Sequence, residues 1–152
     1  MPYIRFSLVF VLAHTLCYVL AGVLDLQLAK KIYSGKDRLF KSLRDMNDPE
    51  ESRRIARLLV PSQVARGLLM SIVLYPILPY LLELSFLTRF IFISSLMFIY
   101  TDFSSAVPFS NTIEGIVYLK KEFVQKKVFW TIQLEAIMYS LMFGFIVAFF
   151  IV

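Results

Sequence analysis

Ionisable and hydrogen-bonding side chains set inside long apolar runs are where this sequence could do chemistry: His14, Tyr18, Asp25, Arg66, Asp102 and Glu135. A charge at the centre of a bilayer costs on the order of 2.5–3.5 kcal/mol on insertion scales, so each such group needs a partner, a water path or a task. At about 100° per residue, His14, Tyr18 and Asp25 share one helix face, and Thr131, Glu135, Tyr139 and Met142 share another. Arg66 falls with Met70, Val73 and Ile77, and Asp102 with Ser95 and Phe98. The set predicts an intramembrane polar cluster centred on Arg66 with Glu135 or Asp102 as counter-charge, because a guanidinium in low dielectric needs a hydrogen-bonded carboxylate. Each member also has a plainer role: the charge pair fixes helix register, Asp25 and Asp102 reach interfacial water, and His14 bonds helix to helix. A second motif, Glu114, Gly115 and Tyr118, sets a carboxylate beside a basic surface, where general acid–base work on an anionic lipid headgroup is the least strained enzymatic reading.

Inventory excludes much other chemistry. One cysteine, Cys17, allows no internal disulfide or cysteine metal cluster, and one histidine excludes a multi-histidine zinc or bis-histidine haem site within the chain. No metal site and no cofactor is expected. The sequence carries no phosphate-cradling glycine loop, HExxH or GxSxG, and Ser94, Ser95, Ser104 and Ser105 have no histidine at readable spacing. No residue is therefore assigned a catalytic role, and a non-catalytic protein is favoured over an enzyme.

The elements that must position these groups are membrane helices. Of 152 residues 59% are apolar, 16% aromatic and 18% charged, too greasy for an ordinary soluble domain. Four runs are long enough to span a bilayer, at about 6–29, 62–84, 87–107 and 128–152, in one all-α membrane domain covering 1–152. The first exceeds a signal-peptide core and lacks a small-x-small cleavage site, so it is expected to be retained. Pro76 and Pro79 predict a kink near 72–75, and the short link between spans two and three predicts an antiparallel hairpin. Gly22 and Gly67 are the expected points of close helix approach.

Two basic loops, 30–61 and 108–127, join the spans. In the first, Asp48, Pro49, Glu50 and Glu51 read as an N-cap, an N1 proline and an acidic first turn. They predict a short interfacial helix carrying Ile55, Leu58 and Leu59 before Pro61 redirects the chain, preceded by a similar surface segment over 36–45. In the second, Asn111 and Glu114 have capping-box spacing. The first loop holds nine Lys and Arg and the second four, against Arg5 and Arg89 on the other side. The positive-inside rule then sets both loops in the cytoplasm and both termini outside, in a multi-pass cell-membrane protein. The net charge of +5 is explained by these juxtamembrane residues, which attract anionic lipid, and nucleic acid is not an expected partner.

Arg66-Gly67-Leu68-Leu69 with Tyr75-Pro76, then Ile113-Glu114-Gly115-Ile116-Val117-Tyr118 and Glu135, together resemble a family of small four-span prokaryotic membrane proteins that has no assigned function. The resemblance covers roughly the last 90 residues. It departs at Asn111-Thr112, where a small Cys- or Ser-like pair would stand. It implies a four-helix membrane fold in a bacterial or archaeal cytoplasmic membrane and no catalytic residue.

The expectation is a four-helix bundle with short interfacial helices in its cytoplasmic loops, acting as a structural or accessory subunit of a membrane complex. Its expected partners are membrane lipids, with anionic headgroups at the basic loops, and a protein partner or homo-oligomer. Two alternatives stand beside it: ion- or proton-coupled permeation past Arg66, Asp102, Glu135 and His14, and a lipid-headgroup-modifying enzyme using Glu114 or Glu135.

Overall fold

The computed structural model describes residues 2–28, 32, 34 and 43–151, with the backbone alone for Asp25, Leu26 and Leu28. Most of the segment expected over 36–45 lies outside the described residues, as does the side chain of Asp25. Among the described residues the chain is helical, with no strand. In order come α1 (Pro2–Leu28), α2 (Pro49–Val73), α3 (Leu78–Glu83), α4 (Phe86–Ser95), α5 (Ile113–Tyr118) and α6 (Lys126–Phe150). Pro2–Leu24, Pro49–Val73, Phe86–Phe103 and Lys126–Phe150 are each long and apolar enough to cross a membrane. The protein is a multi-pass helical membrane protein, its fold an all-α bundle.

Local sequence explains where the helices begin and break. The Asp48 carboxylate accepts the Glu50 and Glu51 amides, both at 2.9 Å, and Pro49 occupies a position whose N–H would be unpaired anyway. The expected pair of elements, a short interfacial helix and then a span from 62, is instead one helix. Pro61 lies inside it without ending it. A proline there removes the hydrogen bond to the carbonyl of residue 57, and the exposed, basic flank at Arg53, Arg54 and Arg57 leaves that carbonyl open to water. The break comes later. The carbonyls of Ser71 and Ile72 accept from the Leu74 amide, a 3-10 turn spans Tyr75–Ile77, and Pro76 and Pro79 fall at the starts of the turn and of α3.

Ser85 caps α4 with its side chain, and α4 runs into a π-helical segment, Leu96–Phe103. Here Arg89, counted with Arg5 on the side opposite the basic loops, is 5% exposed. Its guanidinium donates to the Leu81 carbonyl at 3.5 Å. That carbonyl belongs to the last turn of α3, where carbonyls lack intrahelical partners and a cation is favoured. Arg5 does the same for α6, donating to the Phe150 carbonyl at 3.2 Å.

Packing is organised by α1, which lies against α2 on one side and α6 on the other, while α6 also packs on α4. The core joins Phe6, Phe10 and Cys17 of α1 to Ile93, Met97, Phe143 and Val147. In lipid there is little hydrophobic drive between helices, so close approach of backbones matters more than greasy contact. Small residues supply it. Ala13, Cys17 and Ala21 recur at four-residue spacing and are buried, as are Gly67 and Ser71 on α2 and Ser140, Gly144 and Ala148 on α6. A Cβ on Gly67 would lie 3.2 Å from the Val11 Cα, whereas one on Gly22 would meet nothing within 4 Å. Among the described residues Gly22 is therefore not a packing point; Gly144, pressed against Ser94, is.

Candidate functional site

The buried polar centre of the bundle is built from three helices. His14 of α1 is fully buried. Its Nε2 lies 3.0 Å from Oε1 of Gln63 on α2, and its Nδ1 is hydrogen-bonded to the Tyr139 hydroxyl of α6. An amide oxygen only accepts, so Nε2–H is the donor and Nδ1 accepts the tyrosine proton. Both ring nitrogens are thereby satisfied. The ring also sits edge-on to Phe143 at 6.2 Å and beside Tyr18 at 6.2 Å.

The charged groups lie around this centre without closing onto it. Arg66 is exposed; Asp102, Glu135 and Tyr18 are half-buried. Arg66, Asp102 and Glu135 all act electrostatically on Tyr18, and Arg66 acts on His14, Asp102 and Tyr139 as well. Arg66 is thus within Coulombic reach of His14, Tyr18, Asp102 and Tyr139. Yet among the described residues it has no ion-pair partner within 4.0 Å. Among the described residues no closed Arg66–carboxylate pair forms, and packing gives the reason: the helix that α2 meets there is α1, and the residues α2 buries are Gln63, Gly67 and Ser71. Arg66, one residue before Gly67, is rotated about 100° off that face.

A second hydrogen-bond chain lies nearer the hairpin. Ser71 donates to the Leu68 carbonyl at 2.8 Å, so its oxygen accepts from Ser7 at 2.8 Å, and Ser7 in turn accepts from the Tyr75 hydroxyl at 2.7 Å. Ser7 and His14 are seven residues apart, roughly 10 Å along α1. Phe10, Val11, Gly67 and Met70 fill the interval. The polar groups therefore form two separate knots that tie α1 to α2, and not a file of acceptors and donors through the bundle.

The loop motif is structural in detail. The cap of α5 is Thr112 and not Asn111: its hydroxyl accepts the Gly115 amide at 2.9 Å and also bonds the Phe109 backbone. Asn111 contributes its carbonyl, which accepts from the Gln133 side chain at 2.9 Å, and Ser110 donates to the Phe123 carbonyl at 2.6 Å. These bonds dock the loop on the first turns of α6, over a small cluster of Ile32, Val128 and Ile132. Gly115 is required there because a Cβ would overlap the Phe109 carbonyl. Glu114 stays half-buried and Tyr118 exposed, with neither brought onto His14 by a hydrogen bond or ring contact.

Two adjoining cavities open beside the centre at the end of the bundle where α1 finishes and α2 begins. One, about 460 Å³, reaches from Arg44 and Met46 to Tyr18 and Glu135; the other, about 260 Å³, runs from Arg44 and Arg54 to Gln63. Tyr18, Arg44, Ile55 and Leu59 line both. Among the described residues no group of three His, Cys, Asp or Glu is placed to hold a metal ion.

Gln63 and Tyr139, the two partners of His14, were the functional side chains hardest to read from sequence. A signal existed for the first: Gln63, Gly67 and Ser71 stand four apart, a polar-small-small stripe on one helix face. No protein-family model, curated protein or solved structure matches this chain.

Proposed function

We propose that this protein is a non-catalytic module of a larger membrane assembly, docked through α2 onto a partner helix that offers a carboxylate at the depth of Arg66. One observation supports this above the others: Arg66 is exposed on a helix only 11% buried over its apolar window, against 50% for α6. Arg66 lies eight residues past Leu58, where the apolar run of α2 begins, roughly 12 Å into it at 1.5 Å per residue. Exposed leucine and valine are at home in lipid; a guanidinium at that depth is not. A carboxylate from a neighbouring helix would supply bidentate, charge-assisted bonds that no carboxylate among the described residues makes to Arg66. The two separate polar knots favour this scaffold role over permeation.

Native mass spectrometry of the protein gently extracted from its own membrane tests it. The expected result is a defined heteromeric mass, lost in Arg66→Ala while the variant's unfolding free energy stays within about 1 kcal/mol of the parent, as for an exposed charge. A parent that leaves the membrane only as a monomer or homo-oligomer overturns the docking reading.

The same reading sets both basic loops in the cytoplasm of a prokaryotic cell membrane and both termini outside, supported by nine and four basic residues in the loops. Cys17 is fully buried, so introduced cysteines report sidedness over a silent background. A membrane-impermeant maleimide is expected to label Glu83→Cys in intact cells and Gln125→Cys only after lysis. The opposite pattern inverts the topology.

A further inference from the structure

The paired cavities between α1 and α2 have the chemistry of an amphiphile site. Their walls are Val19 and Val23 of α1 facing Ile55 and Leu59 of α2, and their mouth carries Arg44 and Arg54. Volumes of about 460 and 260 Å³ fall within or near the range that holds small ligands. The position is at a membrane boundary: Arg54 lies one turn before Leu58, where the apolar run of α2 starts, and the acidic, capped start of α2 lies just beyond. An apolar space at that level does not stay empty in a bilayer, since its lining would forgo dispersion contacts that an acyl chain supplies.

We propose that this crevice binds one anionic phospholipid, with its phosphate on Arg44 and Arg54 and an acyl chain between α1 and α2. The charges fix the direction. Two guanidinium groups on exposed side chains present forked donors to phosphate oxygens, and the apolar walls beyond them take the acyl chain. Arg53 and Arg57, with Glu50, line a further open pocket beside Arg54. Gly22 leaves the passage open: it lines the larger cavity, and a Cβ there would meet no atom within 4 Å. Among the described residues nothing packs on Gly22, which leaves its face of the cavity to an acyl chain. This site is independent of the partner proposed at Arg66, which lines neither cavity.

The test is titration of the delipidated full-length protein in detergent with phosphatidylglycerol, phosphatidylcholine or inorganic phosphate alone, read by native mass spectrometry. One phosphatidylglycerol is expected to bind about tenfold or more tighter than phosphatidylcholine, with two arginines each contributing to the headgroup preference. Gly22→Leu, which fills the crevice from a helix position with free space around it, should lose that binding by a similar factor without lowering the melting temperature. Arg44→Glu combined with Arg54→Glu, on exposed side chains, should abolish the headgroup preference and serves equally if the Gly22 variant fails to fold. Equal affinity for the two lipids, or undiminished binding in both variants, overturns the proposal. So does displacement of the lipid by millimolar inorganic phosphate, which would make the site one for free phosphate.

Discussion

His14→Ala is expected to lower the unfolding free energy by about 3–5 kcal/mol, measured by denaturant or thermal unfolding in mild detergent. Three losses combine. The imidazole is fully buried where α1, α2 and α6 meet, so truncation leaves a cavity that the surrounding helices cannot fully close. The Gln63 carbonyl oxygen loses its donor and the Tyr139 hydroxyl loses its acceptor, each a buried polar group worth about 1–3 kcal/mol when left unmatched. Edge-on contact with Phe143 also goes. A water entering the vacated, polar-lined space can satisfy both groups in part, which keeps the expected cost near 5 kcal/mol or below. Tyr139→Phe, which removes one hydroxyl and no volume, should cost about 1–2 kcal/mol, in line with interhelical hydrogen bonds in membranes. Because the two changes share one bond, the double variant should cost less than the sum of the singles. An effect of His14→Ala below about 1 kcal/mol would mean that the knot does not hold the three helices together.

The same residue shows how far the sequence could be read. That His14 bonds helix to helix follows from its being a lone polar ring in an apolar span; that it bonds Gln63 and Tyr139 does not, since those partners stand 49 and 125 residues away. The four membrane crossings were legible because hydropathy is a local property, and so was the cap at Asp48. Pro61 misled because a proline in a polar-to-apolar transition reads as a boundary. A helix tolerates it when the carbonyl it strips is close to water, which depends on where the bilayer surface falls and not on the local sequence. The burial of Arg89 was not legible either: the charge count places it on one side of the membrane, whereas its bond to the Leu81 carbonyl in the last turn of α3 depends on how the two helices meet. That Arg66 is exposed was not legible, because exposure depends on which face of α2 packs on α1, a fact of tertiary arrangement.

Glycine positions carry the second large effect, and its sign differs from site to site. Gly144→Ala is expected to destabilise the bundle by about 1–3 kcal/mol, measured in the same detergent unfolding assay. The added Cβ would overlap the Ser94 hydroxyl and lie 2.9 Å from the Ser94 backbone nitrogen. A hydroxyl can rotate away; a backbone nitrogen inside α4 moves only if the helix does. Separating α4 from α6 loosens the contacts of Ile93 and Met97 with Phe143 and Val147, which form the core between them. Alanine's better helix propensity returns up to about 1 kcal/mol and does not offset a displaced helix. Gly144→Val should cost more, because its branched Cβ cannot turn both methyl groups off α4. At Gly22, where a Cβ meets nothing within 4 Å, alanine should leave stability unchanged or raise it by about 0.5–1 kcal/mol. Equal responses at the two glycines would place the effect in helix propensity alone. Opposite signs would place it in the spacing of α4 and α6, the property on which a bundle in lipid depends once hydrophobic burial no longer distinguishes one helix neighbour from another.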